Sequence, residues 1–247
     1  MMWDTNADGN VDLSEALEFA ERAVSMEEKS SHEIQLTSLM ENDLGNSGRI
    51  GFYWDTLGWV EFRLGHLDRA EEYLRAAWLL TQAAITGDHL GQVYEKEKKT
   101  DQAIHMYRLA VATPEGKDSD GDEAREHLSH LGVQGGTNDI YLKRGTNSPG
   151  DELSKMRTVK LKSIVPGTAT AEFFLLVRPG PKITDVSFIS GSEKLKRATD
   201  ALEAAKFEMP FPTGSAAILV RRVIVMCSSI SGCQAVLYVP SSVNSVQ

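Results

Sequence analysis

Between Trp54 and Pro114, small and apolar residues recur in two copies of one pattern, with polar residues between them. Leu57-Gly58 returns as Leu90-Gly91, 33 residues later. The other positions that match at this spacing are Ala70 with Ala103, Tyr73-Leu74 with Met106-Tyr107, and Ala77 with Ala110. Apolar residues at helical spacing predict a pair of helices in each copy. We predict helices at about 52–64, 67–81, 86–98 and 100–112, and a capping helix at about 121–132.

A fixed period of this length is typical of stacked repeats. Glycine and alanine at the matched positions permit close contact between two helices, while the aromatic and leucine positions fill the space to the next unit. The pattern resembles the tetratricopeptide repeat, a helix-turn-helix unit that serves as a scaffold for binding other proteins. The resemblance implies a helical repeat domain over residues 1–133, with full repeats at about 51–83 and 84–116. Residues 12–26 match only the second half of a repeat, so we expect the chain to be a fragment of a longer protein.

In tetratricopeptide proteins the first helix of each repeat lines a concave groove, and the resemblance places ten residues of this chain there. They are Asp55, Thr56, Trp59, Phe62, Arg63, Asp88, His89, Gln92, Glu95 and Lys96. The family's clamp for a peptide carboxylate has Lys, Asn and Arg at several of these positions, whereas this chain has Asp55 and Asp88. We therefore expect a basic or mixed protein or peptide partner, with Trp59 and Phe62 as apolar anchors. The alternative is that these two rings pack against residues 27–52 or the second domain.

Two stretches interrupt the helical pattern. Residues 27–52 are too long for a turn between repeats, and both a longer helix pair and an exposed insertion fit them. Residues 134–154 are rich in Gly, Asn, Ser and Thr and lack periodicity, which predicts a linker.

After the linker the period changes from helical to alternating. Strands are predicted in MRTVKLKSI, TAEFFLLVRPGP, KITDVSFISG, AAILVRRVIVMCS and CQAVLYVP, and a helix in SEKLKRATDALEAAKF. The second and third strands form a hairpin about Pro179-Gly180. The predicted fold class is thus a helical-hairpin array followed, over residues 155–247, by a small antiparallel sheet with one helix.

The hairpin, the ISGS turn, the helix with spaced alanines and the step from Phe207 to Pro212 resemble the C-terminal domain of TonB-like envelope proteins. Following repeats, residues 156–246 look like the tail of bacterial proteins with an upstream transglutaminase-like domain, none of whose catalytic residues lies in this chain. TonB-like domains bind an extended peptide along a sheet edge. The resemblance suggests 216–220 or 235–239 as the edge that accepts a partner strand.

The two cysteines, Cys227 and Cys233, flank the predicted turn between the last strands. Across a hairpin they would lie within the distance that a disulfide requires. A single pair with no odd thiol fits an oxidising compartment, and a reduced cytosolic pair is the alternative.

An acidic loop precedes the first helical segment. Asp4, Asn6, Asp8, Asn10, Asp12 and Glu15 stand at the spacing of calcium ligands in an EF-hand loop. The same residues also fit a turn in which Asp12 caps the following helix. Calcium is the one cofactor that the sequence suggests, and the two interpretations stay open.

Charge is unevenly distributed along the chain, which has a net charge of -9. Residues 1–150 carry 14 basic and 27 acidic side chains, and residues 151–247 carry 12 and 8. The acidic half argues against nucleic acid as a ligand, and opposite charges favour contact between the two domains. No apolar stretch is long enough for a transmembrane helix.

No motif in the sequence names a reaction. We therefore predict a non-enzymatic scaffold that binds a partner peptide or protein, and the resemblance of residues 156–246 implies a bacterial periplasm or cell envelope. The alternative is a non-catalytic accessory region of a larger transglutaminase-like enzyme.

Overall fold

The computed structural model describes residues 12–133, 148–162 and 167–239. These residues form two compact units. The repeat unit contains 12–26, 50–78, 82–133 and 148–153, and the sheet unit contains 27–49, 79–81, 154–162 and 167–239. The helical array followed by an antiparallel sheet confirms the predicted fold class. The predicted boundary at residue 133 differs from this division, because residues 27–49 group with the sheet.

The helices follow the predicted repeats closely. They are α1 (Leu13–Ser31), α2 (Glu41–Leu44), α3 (Asn46–Leu64), α4 (Leu67–Thr81), α5 (Ala84–Lys96), α6 (Thr100–Ala112), α7 (Asp122–His130), α8 (Pro149–Met156) and α9 (Thr199–Glu203). The predicted bounds of α4 and α6 are confirmed, whereas α3 begins at Asn46 and not at residue 52. Helix α5 starts and ends two residues earlier than predicted, and it ends before Lys98, which adopts a left-handed φ of 65°. Among the residues that the structure describes, no helix is long and apolar enough to cross a bilayer.

Each repeat is closed by a tight contact between a glycine and a large side chain. A Cβ atom on Gly58 would lie 2.7 Å from Leu74 Cγ, and one on Gly91 would lie 2.4 Å from Tyr107 Cε1. Ala70 and Ala103 are fully buried at the matched positions of α4 and α6. The small residues of the sequence pattern are therefore positions where two helix backbones approach closely.

Helix α8 occupies part of the predicted linker, which is a correction to the interpretation of residues 134–154. Ser148 and Asp151 cap its first turn reciprocally, each backbone N–H donating to the other side chain at 3.2 and 3.1 Å. Pro149 suits the first helical turn because its missing N–H needs no partner there. Pro149 and Leu153 are buried. Residues 134–147 of the predicted linker lie outside the described residues.

The sheet consists of five antiparallel strands in the order β1-β5-β4-β2-β3. The strands are β1 (Thr158–Leu161), β2 (Ala169–Arg178), β3 (Lys182–Gly191), β4 (Leu219–Ser228) and β5 (Gly232–Leu237). The predicted hairpin between β2 and β3 is confirmed. The edge strands of the described sheet are β1 and β3. The expectation that 235–239 forms an edge is wrong, because Ala235 and Val236 of β5 pair with both β1 and β4. In 216–220, Leu219 and Val220 pair with β2 only, and the Val220 carbonyl accepts a hydrogen bond from Ser47.

One face of the sheet forms the main core of this unit. Phe173, Leu175, Val223, Val225 and Ala235 on this face are at most 1% exposed. The predicted helix after β3 is shorter than expected: a 3-10 turn, Glu193–Ala198, leads into α9. Its buried residues are Leu195, Ala198 and Leu202. The spacing of three and then four residues suits a 3-10 turn followed by an α-turn.

The other face of the sheet is covered in part by residues 27–49. Ile34 packs with Leu176, Ile218 and Val220, and Leu36 and Leu39 lie against this cluster. Ser47 Oγ donates to the Val220 carbonyl at 2.6 Å, and Ser31 Oγ accepts from the Ile218 N–H at 2.9 Å. The stretch that interrupts the repeats lengthens both flanking helices, since α1 continues to Ser31 and α3 begins at Asn46, so the longer helix pair fits it better than an exposed insertion. Residues 27–49 of this stretch belong to the sheet unit.

Cys227 and Cys233 form a disulfide bond. They are directly opposite each other in the register of β4 and β5, with Cα atoms 4.0 Å apart. Both side chains are buried on the core face.

Substitution of Gly91 by alanine tests the close helix contact. Tyr107 cannot retreat easily, because its hydroxyl bonds Glu95 and its ring stacks on His127. We expect Gly91→Ala to lower the free energy of unfolding by about 1–3 kcal/mol, as overpacking does. The control is Gly150→Ala, where the nearest atom would lie 3.8 Å from the new Cβ. Urea denaturation measures both, and equal stability of the two variants would contradict the packing argument.

Among the residues that the structure describes, Arg221 is the one lysine or arginine that is buried, at 2% exposure. Its Nη2 donates to the Tyr238 carbonyl at 2.8 Å, and its Nη1 has no hydrogen-bond partner in the described part of the chain. Burial, and secondly the charge of Arg157, lowers the pKa of Arg221 to about 10. Because the pKa is lowered, the charged guanidinium of Arg221 is less stable in the folded than in the unfolded protein at pH values below about 10.

A neutral side chain at this position is therefore expected to stabilise the sheet unit. Arg221→Met should raise the free energy of unfolding at pH 7 by about 1–4 kcal/mol, the range for apolar replacement of buried ion pairs. Arg222→Met is the matched control, because Arg222 is exposed and pairs with Glu172. We expect the control to be neutral or slightly destabilising. A lower melting temperature for Arg221→Met would show that its charge stabilises the fold.

Candidate functional site

Side chains of α3, α5 and α7 meet along one side of the repeat unit. His89 of α5 contacts Asp55 of α3, and Glu95 of α5 approaches His127 of α7 at 3.7 Å. We call this surface the groove face. It comprises the ten predicted groove residues together with Glu123 and His127 of α7.

Aromatic rings form a short stack on the groove face. The Trp59 ring lies 4.9 Å from the Phe62 ring and 4.0 Å from the His89 ring, and both contacts are nearly parallel, with interplanar angles of 23° and 14°. Trp59 and Phe62 are half-buried. The predicted anchors are thus held by each other and by a histidine, and the three rings form a pre-arranged aromatic surface.

His89 is oriented by a carboxylate from the neighbouring repeat. Its Nδ1 lies 3.1 Å from Asp55 Oδ1. Asp55 is only 8% exposed, whereas His89 is half-buried. Because Nδ1 of His89 contacts Asp55, Nε2 is the ring nitrogen that remains available to other groups. Asp55 therefore positions a histidine and does not present its own charge at the surface.

Asp88 is fully buried beneath the groove face. Gln92, one turn further along α5, donates from Nε2 to Asp88 Oδ2 at 2.8 Å. The second oxygen, Oδ1, has no hydrogen-bond partner among the described residues. Burial raises the pKa of Asp88, and the Gln92 hydrogen bond and the charges of His127 and His89 oppose this increase only in part. The desolvation of the ionised Asp88 carboxylate is therefore only partly compensated by its neighbours.

Glu95 links three elements at the far end of the groove face. Tyr107 donates its hydroxyl to Glu95 Oε2 at 3.0 Å, and its ring stacks on His127 at 4.9 Å. Burial, followed by the bond to Glu95, raises the pKa of Tyr107, so the hydroxyl stays a donor at physiological pH. Lys96 and Arg63 are exposed, and Thr56 is half-buried.

The structure thus divides the predicted groove residues into two layers. Asp55 and Asp88 lie beneath the surface, and the other eight are half-buried or exposed. The sequence pattern of α7 predicted only a capping helix, so it did not place Glu123 and His127 on the groove face. The residue that could have indicated this position is His127, one of six histidines in the chain.

The predicted calcium loop is described only at its end. Asp12 Oδ1 accepts the backbone N–H groups of Ser14 and Glu15 at 3.0 and 3.1 Å, so Asp12 caps α1. Asp4, Asn6, Asp8 and Asn10 lie outside the described residues. Within residues 12–133, 148–162 and 167–239, no group of acidic, histidine or cysteine side chains is arranged to hold a metal ion. Calcium binding stays a prediction.

The raised pKa of Asp88 has a consequence for the pH dependence of stability. In the folded protein the pKa of Asp88 lies above its ordinary value of 3.8. Ionisation of Asp88 therefore destabilises the folded state as the pH rises from the unfolded-state pKa to the folded-state pKa. Asp88→Asn removes that cost and is expected to increase the melting temperature more at pH 7 than at pH 4. Asp185→Asn, at an exposed site of β3, is the control. An equal effect of Asp88→Asn at both pH values would contradict this account.

Comparison with known proteins gives a local match. The sequence model of the tetratricopeptide repeat family matches residues 88–113, which contain most of α5 and all of α6. No curated protein and no solved structure matches the chain. Residues 88–113 therefore carry a tetratricopeptide repeat, the helix pair that indicates a protein-interaction scaffold.

Proposed function

We propose that the groove face binds an extended segment of a partner protein, and that the chain acts as a scaffold in a bacterial cell envelope. The observation that carries this proposal is the layer of buried carboxylates under the groove face. Asp55 holds His89 against the Trp59 ring, and Asp88, the residue before His89, is fully buried. Side chains that are fixed before binding lose less conformational entropy when a partner arrives, so they contribute more to affinity.

The surface layer combines the residue types that dominate protein interfaces. Trp59 and Phe62 supply aromatic area, and His89, Gln92 and Glu95 supply hydrogen-bonding groups around it. The rings already stack on one another in the free protein. The area that they offer to a partner is therefore their exposed edges and the face of Phe62 that is not stacked on Trp59. Such a surface suits a peptide with alternating apolar and polar side chains.

The disulfide between Cys227 and Cys233 supports the envelope location. Disulfides persist in oxidising compartments and are rare in the cytosol. The sheet unit, an antiparallel sheet with one helix and 3-10 turn on its core face, supports its assignment as a TonB-like module. The alternative proposal is that both units are accessory parts of a larger transglutaminase-like enzyme, as the resemblance of residues 156–246 suggests.

Capture of partners from envelope extract tests the scaffold proposal. We expect the chain to retain a specific protein, and Phe62→Ala to reduce capture by roughly tenfold or more, as loss of an aromatic hot spot does. Phe19→Ala is the matched control, because Phe19 is an exposed phenylalanine of α1, at 53% exposure. Quantitative mass spectrometry of the retained proteins measures the ratio.

Two other results would lead to different conclusions. Equal capture by Phe62→Ala and Phe19→Ala would place the binding surface away from the groove face. No specific capture by the unmodified chain would favour the accessory role.

A further inference from the structure

We propose that Asp88 is the recognition site for a cationic side chain, a lysine ammonium or an arginine guanidinium, of the partner segment, and that Gln92 is a displaceable cap over it. This inference rests on the proposed function, because it assigns a ligand chemistry to the same groove face. It differs from the sequence-based expectation, in which Asp55 and Asp88 both lay open to the partner.

The carboxylate of Asp88 has unused binding capacity. An ionised carboxylate accepts up to about four hydrogen bonds, whereas the described structure gives Asp88 a single side-chain hydrogen bond, from Gln92 at 2.8 Å. Oδ1 is buried, and no residue that the structure describes gives it a hydrogen bond. Buried charged groups are ordinarily paired, and leaving one unpaired is costly.

The charges around Asp88 do not compensate for it. The largest charge effects on it come from His127, His89 and Glu123, none of which is a lysine or an arginine. His89 is already engaged with Asp55, and His127 lies beside Glu95. Glu123 adds a further negative charge. The potential at this point of the groove face therefore favours an incoming cation.

Gln92 provides the route to the buried oxygen atoms. Its side chain is half-buried and, within the described part of the chain, donates the one side-chain hydrogen bond to the carboxylate, so rotation about its own bonds uncovers Oδ2 without moving a helix. A neutral amide is a weaker donor to a carboxylate than an ammonium or a guanidinium. A lysine or arginine of the partner would replace the amide and also reach the unpaired Oδ1, while its aliphatic stem packs beside Trp59.

Peptides selected for binding to the full chain can test this assignment. Dodecamer peptides are selected from a random phage-displayed library, and those whose binding is lost in Phe62→Ala are synthesised. We expect them to share a lysine or arginine, and replacement of that lysine by norleucine, or of that arginine by citrulline, should weaken binding to the unmodified chain by at least about tenfold. The same replacement should have little effect on binding to Asp88→Asn.

Two protein variants separate recognition from folding. Asp88→Asn should weaken binding of the cationic peptide by at least about tenfold while the melting temperature is unchanged or raised, which an Asp88 of purely structural importance would not do. Gln92→Ala should tighten binding severalfold because the cap is gone. Gln102→Ala, an exposed glutamine of α6, is the matched control and should leave affinity unchanged.

The outcomes distinguish this inference from the proposed function. Peptides that need Phe62 but tolerate norleucine or citrulline, or that bind Asp88→Asn equally well, would overturn the cation site and leave the groove face as the binding surface. A selection that yields no peptide dependent on Phe62 would overturn the proposed function and this inference with it.

Discussion

The close approach of the paired helices at Gly58 and Gly91 is the contact on which the repeat unit depends. Neither position has room for a methyl group, because Leu74 and Tyr107 fill the space beside the backbone. At the second position this contact also fixes the Tyr107 ring, whose hydroxyl reaches Glu95 and whose face supports His127. A packing requirement between two helices thus determines where a third helix places its side chains.

The groove face illustrates how a charged group can act without being exposed. Asp55 and Asp88 are buried, yet they decide which way His89 and Gln92 point. The desolvation of these carboxylates is unfavourable for folding, and it is tolerated where the neighbouring polar side chains return a hydrogen bond. Burial of the two carboxylates thus lowers local stability, and in return His89 and Gln92 have defined positions on the surface.

The local pattern was sufficient to predict the repeats, since helix bounds depend on turns and caps that lie in the sequence itself. The bounds of α4 and α6 follow from the turn residues before them. The complete burial of Asp88 could not be predicted in this way. Helical periodicity indicates which face of a helix a residue lies on, but not how far neighbouring residues cover its side chain. The split of the helix after β3 and the interior positions of β4 and β5 likewise depend on long-range pairing. Ile34 was unpredictable for the same reason: its neighbours lie more than a hundred residues away in the chain.

The packing of residues 27–49 on the sheet makes the sheet unit discontinuous in sequence. Leu176, Ile218 and Val220 are covered by a segment that the ribosome produces before most of the repeats. A fragment cut at the apparent linker would carry all five strands and still leave an apolar strip uncovered, with the Val220 carbonyl deprived of Ser47. Exposed strips of this kind promote association between chains. The sheet unit therefore cannot be obtained in native form by simple truncation, and dissecting this protein requires that residues 27–49 be supplied together with the strands.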